Sequence, residues 1–397
     1  MKENKNILFV SQYYPPDVTA AAFRINEMAQ ILKDDGYIIK ILTAIPHKSK
    51  IKNNYIKDNS EVLRTPIFKL NRQKTKNYLL HYISFMVNSI FWGIFKLQSK
   101  FNYLFATSPP LTVALSGWLL ARVKRAKYIL DIRDIWPDSA ESTGHLTSSS
   151  FIYRVSKFLE NFVYNKADLI TCVSEKMKEY IQNHITKNTP IVVLYNGLFI
   201  KFFNINKIKN YNDAMPKNEF MISYIGNIGH AQNLDLLMDA AKLCKNRNIK
   251  FILIGEGAVK NILMDKAIVT KLKNVFFKNS CSKKEAFEYM NRSHALLIIL
   301  KKQSFALNQT IPSKVFDYLW ANKPILFGIE GEGKKILSLL PGNLYFDADD
   351  PISLLKAITK LESKYSYYKS KADKNRSLVI KNFTREKMTR KLEKYLL

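Results

Sequence analysis

A serine, a lysine and an aspartate late in the chain have the types and spacing to hold a nucleotide. In Thr310-Ile-Pro-Ser-Lys-Val-Phe-Asp-Tyr-Leu-Trp-Ala-Asn-Lys-Pro324, Asp317 lies three residues from Lys314 and four from Ser313. The three therefore share one face of a helix, while Val315, Tyr318 and Leu319 are spaced to face a core. Pro312 suits the first helical turn. Asn322 can end the helix, and Pro324 prevents its continuation. Free N–H groups at Ser313 and Lys314, with the helix dipole, attract an anion. Lys314 adds a positive charge, and Asp317 can accept hydrogen bonds from the vicinal hydroxyls of a ribose. An ordinary amphipathic helix opened by proline would carry the same signature.

Other candidates sit in loops that follow apolar runs. Gly226-Asn-Ile-Gly-His-Ala-Gln232 follows the run 220–225, and Gly255-Glu-Gly257 follows 251–254. Glycine at a strand–helix junction lets backbone N–H groups reach a phosphate. Asp131, Arg133, Asp134, Asp138 and Glu141 crowd the segment after 128–130. Arg133 among the aspartates opposes a metal cation and favours an arginine–carboxylate network. Near the N-terminus, Ala20, Ala21 and Ala22 would let a ligand approach closely. Arg24, one turn further in, is placed to meet an anion, with a plain surface arginine as the alternative.

These residues need elements to position them. Short apolar runs at 7–10, 38–42, 128–130, 169–173 and 191–194 alternate with helical segments, and a second series begins at 220. Such runs fit buried parallel strands, and the alternation predicts two α/β domains. In open parallel sheets the loops after strand ends carry the site. The first such loop lacks G-x-G-x-x-G, so dinucleotide binding is not supported there. The polar tract 198–219 reads as a linker.

The run 79–97 approaches a membrane span in length, but His81, Asn88 and Lys96 interrupt it. A buried domain helix, a helix in the membrane interface and a true span compete for it. The tract 48–77 before it is basic, with Arg64, Lys69, Arg72, Lys74 and Lys76.

Composition narrows the classes. The 397 residues suggest about two to three domains. The net charge of +29 points to an anionic partner, whether nucleotide phosphate, anionic membrane or nucleic acid. No nucleic-acid motif is present and the basic residues are dispersed, which sets nucleic acid aside. Three scattered cysteines, Cys172, Cys244 and Cys281, give neither metal spacing nor a disulfide framework, as expected of a reducing cytoplasm. The N-terminus reads as a strand without a signal peptide.

Taken in order, Ser11-Gln-Tyr-Tyr-Pro-Pro, Thr107-Ser-Pro-Pro-Leu-Thr, Asp131-Ile-Arg-Asp-Ile-Trp-Pro-Asp-Ser, Tyr224-Ile-Gly-Asn-Ile-Gly-His-Ala-Gln and Ile311-Pro-Ser-Lys-Val-Phe-Asp-Tyr resemble glycosyltransferase family 4. They are most similar to its branch that builds bacterial O-antigen, capsule or exopolysaccharide units and includes L-fucosamine transferases. The resemblance covers nearly the whole chain. It implies an α/β GT-B fold of two Rossmann-like domains facing across a cleft. Residues 1–197 would bind the acceptor, 198–219 link, 220–375 bind the nucleotide-sugar, and 376–397 form a C-terminal helix packing back on the first domain.

It also implies a retaining transfer from a nucleotide-sugar, UDP-linked in this reading, with neither metal nor other cofactor. The acceptor would be a glycan on a polyprenyl diphosphate, and the protein would sit peripherally on the cytoplasmic side of an anionic membrane. Gly226, Asn227, Gly229, Gln232, Gly255, Gln309, Ser313, Lys314 and Asp317 would hold the donor. Arg133, Asp134 and Glu141 would act at the reacting centre, with Ala21 and Arg24 on the acceptor side.

The chain departs from the family pattern at several of these positions. Gln309 stands for the first of two spaced glutamates. Asn227 and Gln232 stand for a basic pair on the diphosphate. Arg133 stands for a histidine. A GT-B nucleotide-sugar epimerase and a nucleotide-binding subunit without catalysis therefore remain alternatives.

Overall fold

The computed structural model describes residues 5–47, 60–70, 75–142, 144, 146–205, 219–302 and 308–396. Most of the linker tract, at 206–218, and parts of the basic tract 48–77 lie outside the described residues. The chain forms two compact units. One comprises Met1–Asn196 and Arg385–Leu397, and the other Gly197–Thr384.

The first unit is built on a seven-stranded parallel sheet in the order β3-β2-β1-β4-β5-β6-β7. The strands are β1 (Asn6–Ser11), β2 (Ile38–Ala44), β3 (Val62–Thr65), β4 (Tyr103–Ser108), β5 (Lys127–Ile132), β6 (Leu169–Cys172) and β7 (Ile191–Val193). Alternation along β1 explains why the run is apolar throughout, because both sheet faces are covered. Leu8 and Val10 face a core with Phe85, Leu120 and Val163, from helices Thr75–Phe95, Leu111–Lys124 and Phe151–Lys166. Ile7 and Phe9 face the other core, with Ile25, Met28 and Leu32 of helix Ala20–Asp34 and Met388, Leu392 and Leu396 beyond Arg385. The C-terminal helix Arg385–Glu393 thus completes the first unit, held by a buried Arg385 Nε to Glu27 Oε2 hydrogen bond of 3.0 Å. Residues 376–384 stay with the second unit, so the return begins later than residue 376.

Helix Thr75–Phe95 is not buried on all sides. His81, Phe85, Ser89 and Gly93 line its inner face, while Leu79, Ile83, Val87, Phe91 and Phe95 form an exposed stripe on the opposite one.

The second unit carries a six-stranded parallel sheet, β10-β9-β8-β11-β12-β13. Its strands are β8 (Phe220–Ile225), β9 (Ile249–Ile254), β10 (Val275–Lys278), β11 (Ala295–Ile299), β12 (Ile325–Gly328) and β13 (Leu344–Tyr345). In each unit the strand order reverses beside the first strand, between β1 and β4 and between β8 and β11. Loops leaving those strands open at that switch point, where ligands of such sheets bind. Leu198 and Thr384 pair in a parallel bridge, and Leu198 N–H donates to Phe383 O at 2.8 Å, so the two segments bounding this unit run side by side.

Candidate functional sites in the two units

Lys314 is the centre of the second unit's cluster. Helix Lys314–Trp320 spans seven residues. It is too short for a strong dipole, so the charge comes from the side chain rather than from the helix start expected at Ser313. Lys314 Nζ donates to Tyr224 Oη at 2.7 Å and lies 3.9 Å from the centre of that ring. Tyr224 Oη in turn donates to Asn227 O at 2.5 Å. A Cβ on Gly226 would come within 2.9 Å of Nζ, and Gly226 has φ +140°. The ammonium therefore lies directly against the loop after β8. Burial pushes the Lys314 pKa down to about 7, against the opposing pull of Asp317.

Tyr318, read from sequence as a core residue, also fixes this loop. Its hydroxyl accepts from Ile225 N–H at 2.8 Å and donates to Ile225 O at 3.2 Å. Asp317 is half-buried on the same short helix, and Gln309 is half-buried ahead of it. Residues 303–307 of the loop leading to Gln309 lie outside the described residues.

Asn227 and Gln232 do not stand apart as replacements for a basic pair. Gln232 Oε1 accepts from Gly229 N–H at 3.0 Å and from Asn227 Nδ2 at 3.2 Å, which shapes the loop itself. Gly255 is required for packing: its Cβ would meet Gly226 O at 1.9 Å, and it has φ +152°. The loops after β8 and β9 are thereby interlocked, with Gly226 N–H on Ile254 O and Ile228 N–H on Glu256 O, both at 2.9 Å.

In the first unit the structure reassigns Arg24. The anion it meets is internal: Nη2 and Nε bond Asp131 Oδ1 and Oδ2 at 2.8 and 3.2 Å. Nη1 reaches Leu194 O and Asn196 Oδ1, both at 3.1 Å. Arg24 is 1% exposed and Asp131 0%, so the pair braces the sheet's end rather than greeting an acceptor. Burial alone would raise the Asp131 pKa, but the charge and hydrogen bonds of Arg24 hold it down. Ala21 also turns inward, because it shares the buried face with Ile25, Met28 and Leu32.

Arg133 is better placed for a ligand. Nε donates to Thr107 Oγ1 at 2.6 Å and Nη2 to Pro109 O at 3.0 Å. Nη1 has no protein partner among the described residues. Beside it, burial pushes Asp134 up to about 6, against the lowering effect of a Ser139 hydrogen bond. Glu141 is not brought to this pair. It is exposed on the short helix Asp138–Ser142, where its charge acts on Tyr153.

An aromatic and imidazole cluster at the ends of β1 and β2 escaped the sequence reading. His47 lies between Tyr13 and His81, with ring centres 5.1 and 4.9 Å away. Tyr82 adjoins His81 at 5.6 Å. Gln12 Nε2 is 2.9 Å from His81 Nε2, and Gln12 Oε1 is buried with no hydrogen-bond partner among the described residues. Burial raises the Tyr13 phenol, with Tyr82 adding to that effect and Arg133 opposing it. Tyr13 thus lies close enough to Arg133 to feel its charge. Only the position of His81 on the inner stripe of its helix hinted at it.

Comparison with known proteins agrees with this architecture. Residues 19–197 match the glycosyl transferase 4-like domain and residues 206–378 match glycosyl transferases group 1. The chain belongs to the glycosyltransferases of this family pair, with the GT-B fold. Among relatives, the glycosyltransferase WbjE of Pseudomonas aeruginosa is 24% identical over 65% of this chain and 65% of its own length, just under two thirds. WcaI of Escherichia coli, named as a colanic acid biosynthesis glycosyl transferase, is 24% identical over 79% of this chain and 80% of its own. A crystal structure of Anabaena HepE in complex with UDP-glucose superposes with a TM-score of 0.72 at 13% identity, covering 98% of this chain and 99% of that one.

Proposed function

We propose that this protein transfers a sugar, with retention and without a metal, from a UDP-sugar to a polyprenyl-diphosphate-linked glycan during assembly of a bacterial surface polysaccharide. The observation that carries this reading is Lys314, whose ammonium is braced by Tyr224 against the glycine loop at the switch point of the second sheet. HepE, which shares the fold, was crystallised with UDP-glucose, and WcaI is named for polysaccharide synthesis. Both support the choice of donor class and pathway class. Retention and metal independence rest on the family resemblance, together with a resident cation where a diphosphate would need neutralising.

The chemistry follows from that cation. As the glycosidic C–O bond breaks, the β-phosphate leaves and gains negative charge. A fixed ammonium stabilises that charge more in the transition state than in the substrate, which is what accelerates the step. Asp317 would hold the ribose. Arg133, with Nη1 unpaired among the described residues, would orient the acceptor, and Asp134 would take its hydroxyl proton. The exposed stripe of helix Thr75–Phe95 would rest in the headgroup layer of the cytoplasmic leaflet, bringing a lipid-linked acceptor to the first unit.

The test is transfer from UDP-sugars to a polyprenyl-diphosphate glycan, with the product anomer read by NMR. Lys314→Ala should lower kcat by about 100-fold, the scale of losing one preorganised charge-stabilising group. EDTA should leave the rate unchanged. Unaltered turnover in Lys314→Ala would overturn the placement of the diphosphate.

A further inference from the structure

At the opposite edge of the first sheet, away from Arg133, lies a cavity of about 620 Å³ at the starts of β5, β6 and β7. Arg122, Arg125, Lys166 and Lys187 line it, with Asp168 as its one acidic residue. No carboxylate of the described residues forms an ion pair with any of the four cations. Asp168 is already engaged, its Oδ2 accepting from Tyr128 N–H at 2.7 Å. Helices Leu111–Lys124 and Phe151–Lys166 both end here, each bringing roughly half a negative charge. Four cations against one carboxylate and about one further negative charge from the helix ends leave a net of about +2. All four side chains are solvent-exposed, so this balance attracts an anion to the surface there, and the volume suits a group larger than phosphate alone.

The surroundings indicate which anion. Helices Thr75–Phe95 and Phe151–Lys166 both pack on Leu111–Lys124. Their outer faces expose Val87, Phe91 and Phe95 on one side and Phe151, Val155 and Phe158 on the other. On helix Phe151–Lys166 the apolar face continues through Phe162, whose ring packs on the cavity-lining Trp118 and lies 5.4 Å from Lys166 Nζ, so it leads to the cationic cavity as an amphiphile with a phosphate head requires.

We propose that the cavity bounded by Arg122, Arg125, Lys166 and Lys187 seats the phosphate headgroup of an anionic phospholipid. This rests on the membrane docking proposed above, which it would make selective for lipid charge.

Flotation with phosphatidylglycerol and with phosphatidylcholine vesicles tests it. Arg122→Gln with Arg125→Gln should weaken phosphatidylglycerol binding about 30-fold, from about 1 kcal/mol per cation, and leave phosphatidylcholine binding unchanged. Ala126→Trp, which fills the cavity and keeps every charge, should abolish the same preference. Asn188→Trp serves if that variant does not fold. Retained preference in the filled variants means diffuse surface charge and overturns the site. Inorganic phosphate and glycerol 1-phosphate are tested by thermal shift. Saturation by either at millimolar concentration, without displacing vesicles, would mean a soluble anion site and also overturn it. Val87→Ser with Phe91→Ser separates the two readings. If that variant still binds both vesicles, the docking face is wrong, whatever the cavity does.

Discussion

Lys314 is set against its own charge. Its pKa is held near 7 by burial, against an ordinary value of 10.5. Between those values the unfolded chain binds a proton that the folded chain does not, so the stability of the free protein rises with pH across that window. Below about pH 7 both states are charged and the full cost of burying the ammonium is present. A diphosphate beside the amine pulls the pKa back up. Binding of UDP-glucose should therefore take up a proton at pH 8 and almost none at pH 6. Calorimetry in buffers of different ionisation enthalpy reads this directly, and Lys314→Met should remove the buffer dependence. The shared helix of Lys314 and Asp317 was legible from sequence because their spacing is local. Tyr224 was not legible as the brace, because that contact forms between residues 90 apart in the chain. Arg24 was misread for the same reason: its partner Asp131 is 107 residues away.

Elements were easier to read than contacts. Strands buried on both faces announce themselves as apolar runs, so β1, β8 and β12 were evident. The edge strand β3 (Val62–Thr65) is mostly half-buried and sits in a polar tract, so its run is too short and mixed to stand out. Helix Tyr365–Ala372 lacks a side-chain cap and was missed, and Asn375–Asn382, also uncapped, was merged with the C-terminal helix. The glycine loops were recognised, but their reason is partly structural. Gly255→Ala would drive a methyl into Gly226 O and force an unfavourable φ. It should cost about 3 kcal/mol of stability by urea unfolding and weaken UDP-glucose binding, since the loop after β8 must shift. On helix Thr75–Phe95, apolar residues on both faces hid the difference between them: a period of four puts one stripe inside and its opposite outside. Val87→Ser with Phe91→Ser should change the unfolding midpoint only modestly, because both residues are already more than half exposed, and reduce vesicle recovery.

At the scale of the molecule, the net charge of +29 suits the proposed work beside anionic lipid and anionic nucleotide, where long-range attraction would speed both encounters. The chain division matters as much. Removing residues 385–396 would strip Met388, Leu392 and Leu396 from the first unit's core and leave Glu27 buried without Arg385. Several kcal/mol of stability should go with them, about 3–5 from the broken ion pair alone. UDP-glucose affinity should survive, since the Lys314 cluster lies in the other unit. The same arrangement sets the timetable of synthesis. When β7 leaves the ribosome, one face of the first sheet is covered only by helix Ala20–Asp34, and the residues that complete the cover emerge only after the whole second unit has been made. The nascent first unit therefore holds a partly open apolar face through all of that translation.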